Sequence, residues 1–121
     1  MALRILIAED EQIIAADLAE KVAHLGHEVL GTAMAAEEAI QLAEQLTPDL
    51  VLMDIQLEGE MRGTEAARRI RELTNARIIF ITAFPNDLLR NSNEVPEPYV
   101  CIGKPFSRFQ LEASIRAAIN R

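Results

Sequence analysis

The side chains in this chain best suited to handling a hard metal ion or a phosphoryl group are scattered along it: the carboxylates of Glu9, Asp10 and Asp54, the hydroxyl of Thr82 and the ammonium of Lys104. Asp54 ends the apolar run Leu50-Val51-Leu52-Met53, and Glu9-Asp10-Glu11 follow Ile5-Leu6-Ile7-Ala8. Runs this short and this apolar read as strands buried on both faces, as a parallel sheet requires. A carboxylate inside such a strand would carry a large desolvation cost, whereas at its carboxyl end it reaches the edge where open α/β sheets bind ligands. Thr82 closes another apolar strand and Lys104 follows a fourth, so a strand order that gathers these ends gathers all the groups. Carboxylates sharing one site repel unless a cation intervenes. Hard oxygen donors without histidine or thiolate favour Mg²⁺, with Mn²⁺ as the alternative. In that setting Asp54 can attack phosphorus to give an aspartyl phosphate, while Lys104 pairs with one phosphoryl oxygen and Thr82 donates a hydrogen bond to another.

The elements that must position these groups alternate in type. Leu3 to Ala8, His27 to Ala33, Asp49 to Met53, Ile78 to Thr82 and Tyr99 to Ile102 are expected as strands. Glu11 to Gly26 reads as a helix through Ile14, Leu18, Val22 and Leu25, and Ala36 to Leu46 through Ala39, Ile40, Ala43 and Leu46. Thr64 to Leu73 is a third, Pro85 to Arg90 a short one, and a last begins at a Ser107 cap with Leu111, Ile115, Ala118 and Ile119 on one face. Gln56 to Gly63 and Asn91 to Pro98 are expected as polar loops. Such alternation specifies βαβ units with right-handed crossovers: a doubly wound α/β fold with a five-stranded parallel sheet and helices on both faces.

Composition bounds the function. A chain of 121 residues is one domain with one good core, and at 50% apolar but 4% aromatic that core is aliphatic. A net charge of −7 argues against direct nucleic-acid binding and against an anionic membrane, and fits a cation site or a basic partner. No apolar stretch suggests membrane insertion, and the N-terminus carries no signal-peptide pattern. The single cysteine, Cys101, fits a reducing cytoplasm. The glycines form neither a dinucleotide fingerprint nor a Walker A loop.

With these residues in view, the chain resembles a receiver domain of two-component response regulators. The matching motifs are Ile-Leu-Ile-Ala-Glu-Asp-Glu (5–11), Pro-Asp-Leu-Val-Leu-Met-Asp-Ile (48–55), Gly63 with Ala66-Ala67, Phe80-Ile81-Thr82-Ala83 and Lys104-Pro105-Phe106, in order across the chain. The resemblance implies the flavodoxin-like strand order 2-1-3-4-5. It implies that Asp54 accepts a phosphoryl group from a histidine kinase or a histidine phosphotransfer protein. It implies Mg²⁺ held by Glu9, Asp10, Asp54 and the backbone carbonyl of Gln56, phosphoryl contacts from Thr82 and Lys104, and a cis bond before Pro105. On this reading residues 1–121 form a stand-alone receiver with no output domain. It catalyses only its own phosphorylation and dephosphorylation, and presents a phosphorylation-dependent surface to a downstream protein.

The chain departs from the family pattern at three places. Glu9 stands where aspartate is commoner. The loop from Gln56 to Gly63 lacks the usual proline and is one residue longer than the commonest pattern. Cys101 occupies the position of the switch aromatic, three residues before the lysine, which redirects the expected signal path toward Phe84 and residues 85–98. The rival readings are a pseudo-receiver acting as a constitutive binding module and a metal-dependent phosphatase; Gln56, two residues after Asp54, disfavours the second because the acid/base aspartate belongs there. Cys101 reads as a small buried hydrophobe, Arg62, Arg68, Arg69 and Arg71 as a solvated face, and His24 and His27 as a helix end and turn without partners.

Overall fold

A computed structural model of the protein describes residues 2–57, 59–83 and 99–120. Its elements are β1 (Arg4–Ala8), α1 (Gln12–His24), β2 (Glu28–Ala33), α2 (Ala36–Leu46), β3 (Leu50–Asp54), α3 (Gly63–Leu73), β4 (Arg77–Thr82), β5 (Val100–Gly103) and α4 (Arg108–Ile119). The expected helix at 85–90, the loop at 91–98 and Phe84 lie outside the described residues.

The strands pair in parallel in the order β2-β1-β3-β4-β5, as the family resemblance implied. Period-2 alternation along each strand divides the aliphatic side chains between two cores. Leu6, Ala8, Val51, Met53, Ile78 and Phe80 point to the face covered by α2 and α3, where Ala39, Ala43, Ala66 and Ile70 meet them. Ile5, Ile7, Leu50, Leu52, Ile79, Ile81 and Ile102 point to the face covered by α1 and α4, against Leu18, Val22, Leu111 and Ile115. Each Val, Leu, Ile, Met or Phe side chain among them, taken wholly out of water, stabilises the fold by about 1.5–3 kcal/mol.

Several element boundaries differ from those expected, and at two of them a tertiary contact gives the reason. β3 includes Asp54, because Asp54 stays in register with Ile81 of β4. Helix α3 opens at Gly63 and not Thr64, its first amide already tied to the Ile55 carbonyl at 2.8 Å. His27, expected to lack a partner, accepts the Leu3 N–H on Nδ1 at 3.1 Å. The amide of Glu28 donates to Leu3 O at 2.8 Å, which brings the imidazole alongside the start of β1. Among the described residues no helix is long and apolar enough to cross a membrane.

Ser107 caps α4 as the sequence indicates. Its hydroxyl accepts the Gln110 N–H at 3.1 Å and the Gln110 side chain returns to the Ser107 N–H at 2.7 Å, a reciprocal capping box. Ser107→Ala should lower the unfolding free energy by about 1 kcal/mol, measured by urea titration; an unchanged midpoint would show that the cap does not hold α4.

Candidate functional site

Strand phase assembles the site. Two residues beyond Ile7, Leu52 and Ile102 on their strands stand Glu9, Asp54 and Lys104, so alternation aims all three toward the α1/α4 side. The register of Ala8 with Met53 sets Glu9 beside Asp54, and the pairing of Ile81 with Asp54 and Ile102 brings the end of β5 to the same edge. The Lys104 N–H donates to Thr82 O at 2.8 Å and carries the ladder past the last strand residue. The bond from Lys104 to Pro105 is cis.

The resulting cluster is compact. Oxygens of Glu9, Asp10 and Asp54 lie within 4.8 Å of one another. The Lys104 Nζ donates to Glu9 Oε1 at 2.7 Å and to Asp54 Oδ2 at 3.1 Å. The Lys104 side chain is 18% exposed, against 1% for Glu9 and 9% for Asp54, so these charges meet largely out of water. The second oxygens are also engaged: Glu9 Oε2 accepts the Glu11 N–H and Asp54 Oδ1 accepts the Gln56 N–H, both at 3.1 Å. Asp10 is half-buried at the rim, and Thr82 is buried at the end of β4. The sequence reading named Glu9, Asp10, Asp54 and Lys104, which the fold brings together, but gave no hint of the amides of Glu11 and Gln56. Every residue has an N–H, so only the turn that aims it reveals the contact.

Burial, then the hydrogen bond and negative charge of Glu9, push the Asp10 carboxyl above the usual carboxylate range. Burial alone would pull the Lys104 ammonium down, but its hydrogen bond with Glu9 and the charge of Asp54 outweigh it and hold the group above the ordinary lysine value. The ammonium is therefore charged at neutral pH. The stability it contributes is complete below the ordinary lysine value and fades only as pH rises through the raised one. One ammonium among three carboxylates leaves the cluster short of positive charge. An all-oxygen donor set with that deficit suits Mg²⁺, which keeps most of its waters and needs few protein ligands.

The loop that follows Asp54 packs back on it through Gly63. A Cβ at that position would lie 2.0 Å from the Asp54 carbonyl oxygen and 3.0 Å from the Ile55 Cα. Only hydrogen fits, which gives a physical reason for the glycine. On the α2/α3 side, Phe80 is fully buried and meets the edge of Tyr99, with ring centroids 6.0 Å apart. Cys101 is half-buried against the same cluster, and burial raises its thiol pKa. The position three residues before Lys104 thus holds a small packed side chain that resists ionisation.

A family model described as the response regulator receiver domain matches residues 5–116. The chain is 42% identical over 120 residues to the phyllosphere-induced regulator PhyR of Methylorubrum extorquens, covering 98% of this chain and 44% of that protein. It is 39% identical over 119 residues to the transcriptional regulatory protein PdtaR of Mycobacterium tuberculosis, covering 98% of this chain and 57% of that one. It superimposes on the crystal structure of the anti-anti-sigma factor PhyR from Bartonella quintana with a TM-score of 0.86 at 39% identity, over 99% of this chain and 48% of that one. The chain spans about half the length of these curated relatives.

Two substitutions probe the construction of the site. Gly63→Ala should cost at least about 2 kcal/mol in chemical denaturation, because the methyl group meets backbone that cannot move aside cheaply; a cost under a few tenths would mean that the loop is not packed on Asp54. Lys104→Met keeps the aliphatic stem but strands the buried Glu9 carboxylate. In metal-free buffer it should destabilise by about 2–3 kcal/mol, below the full cost for a buried pair because the ammonium keeps some solvent. A neutral result in the same titration would show that the pair is not worth its desolvation.

Proposed function

The chain belongs to the response regulator receiver domain family, and from that premise we propose that Asp54 is its phosphoacceptor in a two-component phosphorelay. An Asp54 carboxylate oxygen would attack the phosphorus of a phosphohistidine on a kinase or phosphotransfer protein. An O–P bond forms, the P–N bond breaks, and the electron pair leaves with the imidazole nitrogen, which takes up a proton. The observation that carries this reading is the Lys104 ammonium held 3.1 Å from Asp54 and 2.7 Å from Glu9 within the acidic cluster.

Asp10, Asp54 and the Gln56 carbonyl would hold Mg²⁺, with the charge of Glu9 adding to the field. Bound there, the ion would neutralise phosphoryl oxygens during transfer. Lys104 would exchange its contact with Asp54 for one with the phosphoryl group, and the Thr82 hydroxyl would donate to a second oxygen. Because Gln56 offers no acid/base carboxylate, the chain would turn over only its own phosphoryl group and no external substrate.

The output would be a change of protein partner. The relatives include a transcriptional regulatory protein and an anti-anti-sigma factor, and the acidic surface of this chain suits a protein target better than nucleic acid. Coupling of about 1–3 kcal/mol between phosphorylation and the partner surface would suffice for such a switch. Cys101 favours a second reading, a constitutive binding module, because the position of the usual switch aromatic holds a packed thiol.

Acetyl phosphate with Mg²⁺ should add one phosphoryl group to the intact protein, located at Asp54 by peptide mass spectrometry. Asp54→Asn and chelation by EDTA should each abolish the adduct. Folded wild-type protein that stays unmodified would overturn the phosphoacceptor reading in favour of the constitutive module.

A further inference from the structure

We infer that Glu9 is a positioning residue for Lys104, and that its extra methylene relative to aspartate exists to reach the ammonium. This rests on the phosphoacceptor reading above and assigns Glu9 a task distinct from holding the metal.

Glu9 is the most deeply buried member of the cluster, with its side chain 1% exposed. Both of its oxygens are already directed. Oε2 is fixed by the Glu11 amide at 3.1 Å, where the chain turns into α1, and Oε1 takes the shortest contact of the Lys104 ammonium, 2.7 Å. Asp54 receives the longer contact, 3.1 Å. The strand phase that points Glu9 along the α1/α4 side aims it at Lys104, whereas Asp10, the next residue, sits half-exposed at the rim. Once Asp54 carries a phosphoryl group, its Oδ2 is no longer a free carboxylate partner. Glu9 is then the carboxylate that still holds the lysine on the new oxygens. A charge-assisted contact from a buried, amide-fixed carboxylate is strong and directional, so Lys104 arrives already placed and spends little rotamer entropy when it engages the phosphoryl group.

An aspartate at this position would keep the charge but stop short of the ammonium by roughly one C–C bond, about 1.5 Å. Glu9→Asp therefore separates the two roles. Holding Lys104 requires length and charge, whereas favouring the metal requires charge near the ion. Glu9→Gln does the reverse, keeping length and losing charge.

The test uses metal-free protein and acetic anhydride at limiting concentration, with acetylation of Lys104 scored against Lys21, the only other lysine of the chain, by peptide mass spectrometry. Glu9→Asp should raise the Lys104-to-Lys21 labelling ratio about 5-fold, the scale of one net hydrogen bond. The same variant should leave the Mg²⁺ dissociation constant, measured by calorimetry, within about 3-fold, because the carboxylate charge stays near the ion. Glu9→Gln, which loses the charge that holds the ammonium, should raise the ratio at least as much and weaken Mg²⁺ more. An unchanged ratio in Glu9→Asp, in protein whose circular dichroism matches wild type, would overturn the assignment. So would a ratio that rises equally at Lys21. No phosphoryl donor enters this comparison, so it decides the role of Glu9 even where acetyl phosphate fails to modify Asp54.

Discussion

Three carboxylates drawn to within 4.8 Å of one another, with one ammonium among them, form the constraint on which the rest of the molecule depends. In surroundings of intermediate dielectric, unit charges about 4 Å apart act on each other with about 4 kcal/mol, a large part of the 5–15 kcal/mol that holds a typical domain together. A site of this kind persists only if the backbone cannot relax away from it. Lys104 offsets part of the repulsion, and the amides of Glu11 and Gln56 fix the carboxylates they touch.

The rigidity comes from the middle of the sheet. β3 is buried along its whole length between β1 and β4, with aliphatic layers above and below. It can therefore end in a carboxylate only at the rim, where Asp54 is 6% exposed and reachable. Gly63 closes the loop down on the Asp54 carbonyl, so the same few atoms that present the side chain also anchor the start of α3.

Strand phase also divides the site. Glu9, Asp54 and Lys104 continue the rows of Ile7, Leu52 and Ile102 on the α1/α4 side. Thr82 continues the row of Ile78 and Phe80, which faces Tyr99 and Cys101 on the α2/α3 side. Thr82 thus shares its strand row with Phe80, whose ring meets Tyr99 in the cluster that also holds Cys101. That neighbourhood, an edge-to-face Phe80–Tyr99 pair and a packed thiol, is unlike one built around a swinging aromatic ring.

Much of this was legible in the chain itself. Short aliphatic runs ending in Glu9-Asp10, Asp54 and Thr82 read as doubly buried parallel strands with polar residues at the ligand edge, a placement that satisfies both burial and charge. The helices followed from 3.6-residue periodicity, and the α4 cap from Ser107. What the chain could not declare was set by contacts between residues far apart in sequence. The pairing of Asp54 with Ile81 extended β3, the proximity of Leu3 gave His27 a partner, and the close approach to Asp54 opened α3 at Gly63. The sequence determined which groups end their strands at the ligand edge, since residue type and strand phase are local properties, and the strand order then brought those ends together. Only the tertiary structure decided which oxygen takes which proton, because that turns on differences of a few tenths of an ångström between Glu9 and Asp54 around one shared ammonium.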